Sequence, residues 1–269
     1  MKRSFIERSL SSLLATSHYA ATAEELALTT GALQKVDPRV KVGGLFGLVF
    51  VVAASRELRA IGAIFLIAVA VALLSQVRLT RLAGWVWAPV LFFTGTIALP
   101  AVFLTPGHSV AMWGPIAVTQ QGLRSAAFLI SRAETAATLS ALLVLTTPWP
   151  WVLKSLRTFR CPVVLVAILG MTYRYIFVIL QTAFDMLESR KSRTVGVFAP
   201  AERRRLAASA VGVLLSKSLQ LSHDVHLAMQ SRGFRGEVHV MQDFRSKVSD
   251  WYWLAGFLSL AAAGMWWGR

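Results

Sequence analysis

Charge is scarce in this chain. Only 15% of its 269 residues are charged, against about a quarter in an ordinary soluble domain, while 55% are hydrophobic and mean hydropathy is +0.58. Acids are scarcer than bases, 13 against 28, for a formal net charge of +15. No RNA- or DNA-binding motif accompanies that charge, so it reads as cationic loops held at one face of a membrane and not as a nucleic-acid surface. Cysteine is nearly absent: Cys161 stands alone, which excludes an intramolecular disulfide and any multi-cysteine metal site. No GxxxxGK[ST] loop is present, so the chain does not resemble a P-loop ATPase. The absence of GxSxG, HExxH and aspartate-rich motifs removes the usual supports for an enzyme. The N-terminus has no early apolar core, being polar, charged and mildly amphipathic, and does not read as a cleaved signal peptide.

What is present is a series of apolar runs near the roughly 17–25 residues needed to cross a bilayer. Residues 1–39 carry Arg3, Glu7, Arg8, Glu24, Glu25, Lys35 and Arg39, and read as a cytoplasmic or interfacial lead-in that turns at Asp37-Pro38. Val40 to Ala54 and Leu58 to Gln76 come next, separated by Ser55-Arg56-Glu57; they predict two helices with a tight turn, or one broken helix. Arg78 and Arg81 form a basic loop. Trp85 to Leu104 is the third expected span, with Trp85 and Trp87 suited to the interface. Thr105 to Gly122 lacks Lys, Arg, Asp and Glu, as a loop on the outer face should. Ala126 to Thr147 is the fourth span. It contains Arg132 and Glu134, each costing about 2.5–3.5 kcal/mol on insertion scales. They mark either a conduction site or a structural role by ion pairing or snorkelling; two residues apart, they point to different helix faces, which favours the structural role.

The pattern changes after Thr147. Pro148-Trp149-Pro150-Trp151 opens a short amphipathic stretch, with Trp149, Val152, Leu156 and Phe159 as its apolar stripe and Lys154, Arg157 and Arg160 off it, suited to the inner membrane surface. From Pro162 a long helical run reaches Arg193. Were 161–184 a span, Arg190, Lys191, Arg193, Arg203, Arg204 and Arg205 would sit outside, against the positive-inside rule, so the helix is expected on the inner side. Another helix is expected from Glu202 to Arg232, with a stripe of Leu206, Ala210, Leu214, Leu221, Val225 and Ala228 broken by Lys217. A basic loop with Arg235, Arg245 and Lys247 precedes a last span, Trp251 to Trp267. No strand-like alternation, low-complexity tract or clear repeat is visible.

Two tripeptides close the long helices: Ser192-Arg193-Thr194 and Ser231-Arg232-Gly233. An arginine between small residues at a helix end forms a compact cationic knob, able to enter a groove and grip a carboxylate by two parallel bonds. Gly233 lets the chain turn away at a left-handed position. The plainer alternative is an ordinary helix C-terminus, where Arg complements the dipole. His223, Asp224 and His226, with His239 beyond and His18 and His108 far away, make a weak metal cluster, and metal binding by this chain is not expected.

Thr146-Thr147-Pro148-Trp149, Tyr173-Arg174-Tyr175, Glu188-Ser189-Arg190-Lys191-Ser192-Arg193 and Ala228-Met229-Gln230-Ser231-Arg232-Gly233-Phe234 together resemble the transmembrane T component of energy-coupling factor transporters, most closely the cobalt/nickel branch of CbiQ type. The resemblance covers roughly 125–235. It implies coupling helices that dock on two ATP-binding cassette ATPase subunits through Ala-Arg-Gly-like motifs. Carried over, Arg193 matches the first arginine and Arg232 the second. Ser192 and Ser231 stand where alanine is common and Thr194 where glycine is frequent, and Arg190 is able to share the first role. Tyr173, Arg174, Tyr175 and Met229 support the coupling helices.

The resemblance further implies no catalytic residue and no cofactor or metal on this chain. ATP and Mg belong to the partner ATPases, and cobalt or nickel to a membrane-embedded substrate-binding subunit, with a small accessory membrane subunit possible. The expected place is the bacterial cytoplasmic (inner) membrane, N-terminus cytoplasmic, with no nucleic acid as partner. The expected architecture is an all-α membrane protein of about five spans: 1–39 a lead-in, 40–147 four spans, 148–250 two or three long coupling helices and a basic loop, and 251–269 the last span. A vitamin such as biotin, or several shared substrate subunits, is the alternative cargo arrangement. A self-contained channel or secondary transporter is the alternative of another class, and an intramembrane enzyme a third.

Overall fold

The computed structural model describes residues 31–105, 109–113, 116–193, 199–234 and 248–267. Its helices are α1 (Pro38–Ala54), α2 (Leu58–Leu74), α3 (Leu79–Leu82), a π-helical turn (Ala83–Trp87), α4 (Ala88–Leu104), α5 (Gln120–Thr146), α6 (Trp149–Thr158), α7 (Val163–Arg193), α8 (Pro200–Ser231) and α9 (Val248–Trp267). A two-stranded antiparallel hairpin, β1 (Ser109–Trp113) with β2 (Ile116–Thr119), joins α4 to α5. The strands carry no period-2 alternation, so the sequence did not signal them. The described residues divide into two compact units, with the boundary inside α6 between Ser155 and Leu156: residues 31–155 with α9 form one, and residues 156–234 the other.

In the first unit, local chemistry sets the helix ends. Asp37 caps α1, its carboxylate accepting from Arg39 N–H at 2.8 Å, and Pro38 occupies the first helical position, where its missing N–H costs nothing. The segment before it docks on the end of α2: Ala32 N–H donates to Leu74 O and Gln34 Nε2 to Ser75 O at 3.0 Å. The π turn lies just before Pro89, which has no N–H to offer Trp85. Ala88 N–H bonds Ala83 O instead, five residues back. The wider turn carries Trp87, whose ring lies 5.6 Å from Phe65 and whose Nε1 donates to Thr138 Oγ1 at 3.0 Å. Arg81, expected in a loop, lies in the short helix α3, and α5 starts at Gln120 rather than near Ala126, capped by Thr119 Oγ1.

α5 is the centre of this unit: it packs on α1, α2 and α4, and α1 in turn touches α9. The contacts of α1 with α9 recur every seven residues on both helices: Asp37 N–H donates to Asp250 Oδ1 at 2.9 Å, Gly44 lies under the Phe257 ring, and Gly264 lies against Val51, where a Cβ would come within 2.8 Å of Cγ1. A seven-residue repeat on two parallel helices is the geometry of a coiled-coil seam. α9 carries exposed Trp251 and Tyr252 near one end and Trp266 and Trp267 at the other, about 24 Å apart along the helix, as membrane-interface aromatics do.

The second unit is dominated by α7 and α8, 31 and 32 residues long, which pack on one another. Along α8 the half-buried positions are Leu206, Ala210, Leu214, Ser218, Leu221, Val225 and Met229; Ala228, expected in the stripe, is exposed and Met229 replaces it. No residue of α7 is buried. In α6 the buried positions are Leu153 and Ser155, with Val152 and Leu156 half-buried, whereas Trp149 and Phe159 of the expected stripe are exposed. Among the described residues, Leu79–Phe103, Gln120–Thr146 and Val163–Arg193 are long and apolar enough to cross a membrane unaided. The protein is an all-α membrane protein, the hairpin being its one described departure from helix.

Candidate functional site

The sequence singled out two helix ends, and the structure gives them different architectures. α8 ends in a complete Schellman motif: Phe234 N–H donates to Met229 O and Gly233 N–H to Gln230 O, both at 3.0 Å. Gly233 sits at φ +74, in the left-handed region that a glycine occupies without steric cost. Arg232 is the C-cap, at φ −89 and ψ 7, and is exposed together with Ser231 and Gly233. The arginine therefore stands at the last turn of the helix, next to its left-handed glycine cap. Met229 supports the motif through its carbonyl, a role its apolar character did not advertise.

α7 ends on Arg193 itself, with Arg190 and Lys191 in the same last turn. Ser192 and Arg193 are exposed and Arg190 is half-buried. Thr194 lies outside the described residues, as do His18, His108, His239, Arg235, Arg245 and Lys247. Three cations in the final turn complement the negative end of the helix dipole and concentrate positive charge at an exposed tip.

Both serines of the motifs turn back on their own helices. Ser192 Oγ donates to Glu188 O at 3.1 Å and Ser231 Oγ to Ala228 O at 2.9 Å. With the hydroxyl so occupied, each serine presents little more than a methylene beside its arginine, as an alanine would. That is a physical reason for serine to be tolerated at both places.

The two arginine ends are not brought together. α8 lies between them in the chain, and its 32 residues are about 48 Å long. At the N-terminus of that helix, Pro200 takes the first position and Glu202 Oε2 accepts from Ala199 N–H at 3.0 Å. Midway along α7, Tyr173 stacks edge-on against Phe177 at 5.2 Å; Tyr173 and Tyr175 are half-buried and Arg174 is exposed. His226 Nε2 lies 3.1 Å from Gln230 Nε2, and among the described residues no group of three or more His, Cys, Asp or Glu is placed to hold a metal ion.

Arg132 and Glu134 do not pair. The Arg132 guanidinium donates through Nη2 to Ser55 O and lies 5.6 Å from the Phe128 ring centre, while the buried Glu134 carboxylate has no hydrogen-bond partner among the described residues. The ion pair offered as a structural role is not formed: the partner of Arg132 is a backbone carbonyl and not the neighbouring acid. Sequence reasoning missed Lys41. It is 1% exposed, and its Nζ donates to Thr146 O at 3.0 Å. The available signal was a lysine inside an otherwise apolar run.

Taken together, these features define an all-α membrane protein with exposed cationic helix ends. Comparison with known proteins gives the family. A family model described as cobalt transport protein, CbiQ, matches residues 29–242, and the chain belongs to that family. It is 32% identical over 234 residues to an uncharacterized protein of Methanocaldococcus jannaschii, covering 84% of this chain and 80% of that protein. It is 31% identical over 160 residues to the cobalt transport protein CbiQ of Rhodobacter capsulatus, covering 57% and 64%. It is also 26% identical over 246 residues to the energy-coupling factor transporter transmembrane protein EcfT of Thermanaerovibrio acidaminovorans, covering 87% and 90%.

Proposed function

We propose that this chain is the transmembrane coupling subunit, the T component, of an ATP-driven importer of cobalt or nickel. Two ATP-binding cassette ATPase subunits each receive one arginine-bearing helix end, and a membrane-embedded substrate-binding subunit, with or without a small accessory membrane subunit, holds the cargo. The observation that carries the reading is the pair of exposed ends at Arg193 and Arg232, set on two packed helices with about 48 Å of α8 between them. One packed pair of helices with two separated knobs suits two separate grooves and links their motions.

The N-terminus and both knobs belong on the cytoplasmic side, in the bacterial inner membrane, because the basic ends of α7 and α8 resist translocation. In that arrangement α7 is a coupling helix despite its apolar length, and its unburied surface is covered by partner subunits as well as lipid. ATP and Mg are bound by the ATPases and the metal by the substrate subunit, so this chain is non-catalytic. A T component serving a vitamin such as biotin, or several shared substrate subunits, is the alternative cargo arrangement.

The test is charge reversal in the assembled transporter. Arg232→Glu and Arg193→Glu are expected to lower ATPase association at least about tenfold, because each puts a carboxylate where a desolvated cation is required. Wild-type ATPase association and ATP-dependent uptake in the double variant would refute the reading. Uptake of labelled cobalt, nickel and biotin identifies the cargo.

A further inference from the structure

The membrane unit contains a second pair of cations that the coupling reading does not use. Lys41 of α1 donates to the carbonyl of Thr146, the last residue of α5. Arg132 of α5 donates to the carbonyl of Ser55, the C-cap of α1. Each helix thus sets a cation on the negative end of the other, where unbonded carbonyls and the helix dipole both favour positive charge.

The two contacts report one register. Lys41 and Ser55 are fourteen residues apart, and so are Thr146 and Arg132, so α1 and α5 run antiparallel in step over the whole interval. Counted inward from the two bonds, Leu45 corresponds to Leu142, Leu48 to Leu139 and Val52 to Thr135, and all six are buried. The positions alternate by four and three on each helix, the spacing of a knobs-into-holes seam. A seam of leucines alone specifies register weakly, because a slide of three, four or seven residues brings equivalent side chains opposite one another. Polar groups with unique partners at the ends remove that degeneracy.

Register matters here because α5 is the last long helix before the chain leaves the membrane unit within α6. After Thr146 the chain passes through Thr147, which is buried, and Pro148 directly into α6 and on to the coupling helices. A slide of α5 by one turn would shift that exit by about 5.4 Å.

We propose that Lys41 and Arg132 are positioning residues that lock α5 to α1 in a single register, making the membrane unit a fixed frame from which the coupling segment departs. The functional half of this proposal rests on the coupling reading; the register half does not. Without the lock, motion of the coupling helices draws α5 along α1 and is dissipated before it reaches the substrate subunit.

The experiment uses the full chain in its assembled complex in membranes, with Cys161→Ser as background. Oxidative cross-linking compares an in-register pair, Leu45→Cys with Leu142→Cys, and an offset pair, Leu48→Cys with Leu142→Cys. With both cations present, the in-register pair is expected to form about tenfold faster, the preference that a charge-assisted bond provides. Lys41→Met is expected to bring the ratio towards one and to lower uptake per ATP hydrolysed, and Lys41→Arg to restore both. Arg132→Gln, at a half-buried position, acts in the same direction and carries the test if Lys41→Met is not inserted. A cross-linking ratio unchanged within about twofold in both variants overturns the proposal, as does a collapsed ratio with normal uptake per ATP. Wild-type uptake that needs no ATP would refute the coupling reading instead, while the cross-linking ratio still judges the lock.

Discussion

Gly233 and Gly212 lie on or beside the same helix, and both have open space where a Cβ would be placed, yet replacing them should have opposite effects. Gly233 is the left-handed residue of the α8 cap, at φ +74. Alanine there meets no neighbour, so its cost is the backbone conformation alone, about 1 kcal/mol, and a β-branched residue costs more. That weakens the cap population about fivefold and lets the Arg232 turn open. Gly212 is an interior residue of α8, where alanine removes backbone freedom from the unfolded chain and stabilises by about 1 kcal/mol. Hydrogen exchange of the Gly233 and Phe234 amides, whose N–H groups close the cap, should accelerate about fivefold in Gly233→Ala and remain unchanged or slow in Gly212→Ala. ATPase association, measured in parallel, should weaken in the first variant and hold in the second. Equal protection at Gly233 and Phe234 in Gly233→Ala and the parent would refute the claim that cap geometry presents the arginine. Faster exchange with undiminished ATPase association would show that the charge acts without the cap.

Three further perturbations test the membrane unit and its helix ends. Gly44→Ala drives a Cβ into the Phe257 ring and should destabilise by about 1–3 kcal/mol in thermal unfolding in detergent, with much of that loss recovered in the Gly44→Ala/Phe257→Leu double variant. Gln76 and Arg160 occupy left-handed positions, at φ 57 and 62, in Schellman-type caps closed by Val77 N–H to Ala72 O and Cys161 N–H to Leu156 O; Gln76→Gly and Arg160→Gly should each stabilise by up to about 1 kcal/mol. Asp250→Ala leaves the buried Asp37 N–H without its acceptor and should cost about 1–3 kcal/mol, with Asp250→Asn milder because it keeps an oxygen in place.

Much of the helical layout was legible because its signals are local. Asp37-Pro38 marks the start of α1 through side-chain capping and a fixed φ, and Gly233 marks the end of α8 through its tolerance of positive φ. The caps at Gln76 and Arg160 carry no sequence signal because neither uses glycine. The helix α5 begins six residues before the apolar span expected from Ala126, because Gln120 to Ser125 is mostly polar and hydropathy tracks solvation, whereas the helix obeys its Thr119 cap. The hairpin went unseen because its short strands show no alternation and are defined by backbone pairing alone.

By itself the amino-acid sequence determined that the chain enters a membrane, that its long helices end in arginines between small residues, and which family those motifs resemble. These properties rest on composition and short-range spacing, which survive in one dimension. Only the tertiary structure decided that the motif serines face their own helices, that Arg132 reaches Ser55 and leaves Glu134 without a hydrogen-bond partner, and that Lys41 closes α5. The partners in those contacts between helices lie 77 and 105 residues apart. Which carbonyl a buried cation meets depends on how two helices are set in register, and no spacing within either helix encodes that.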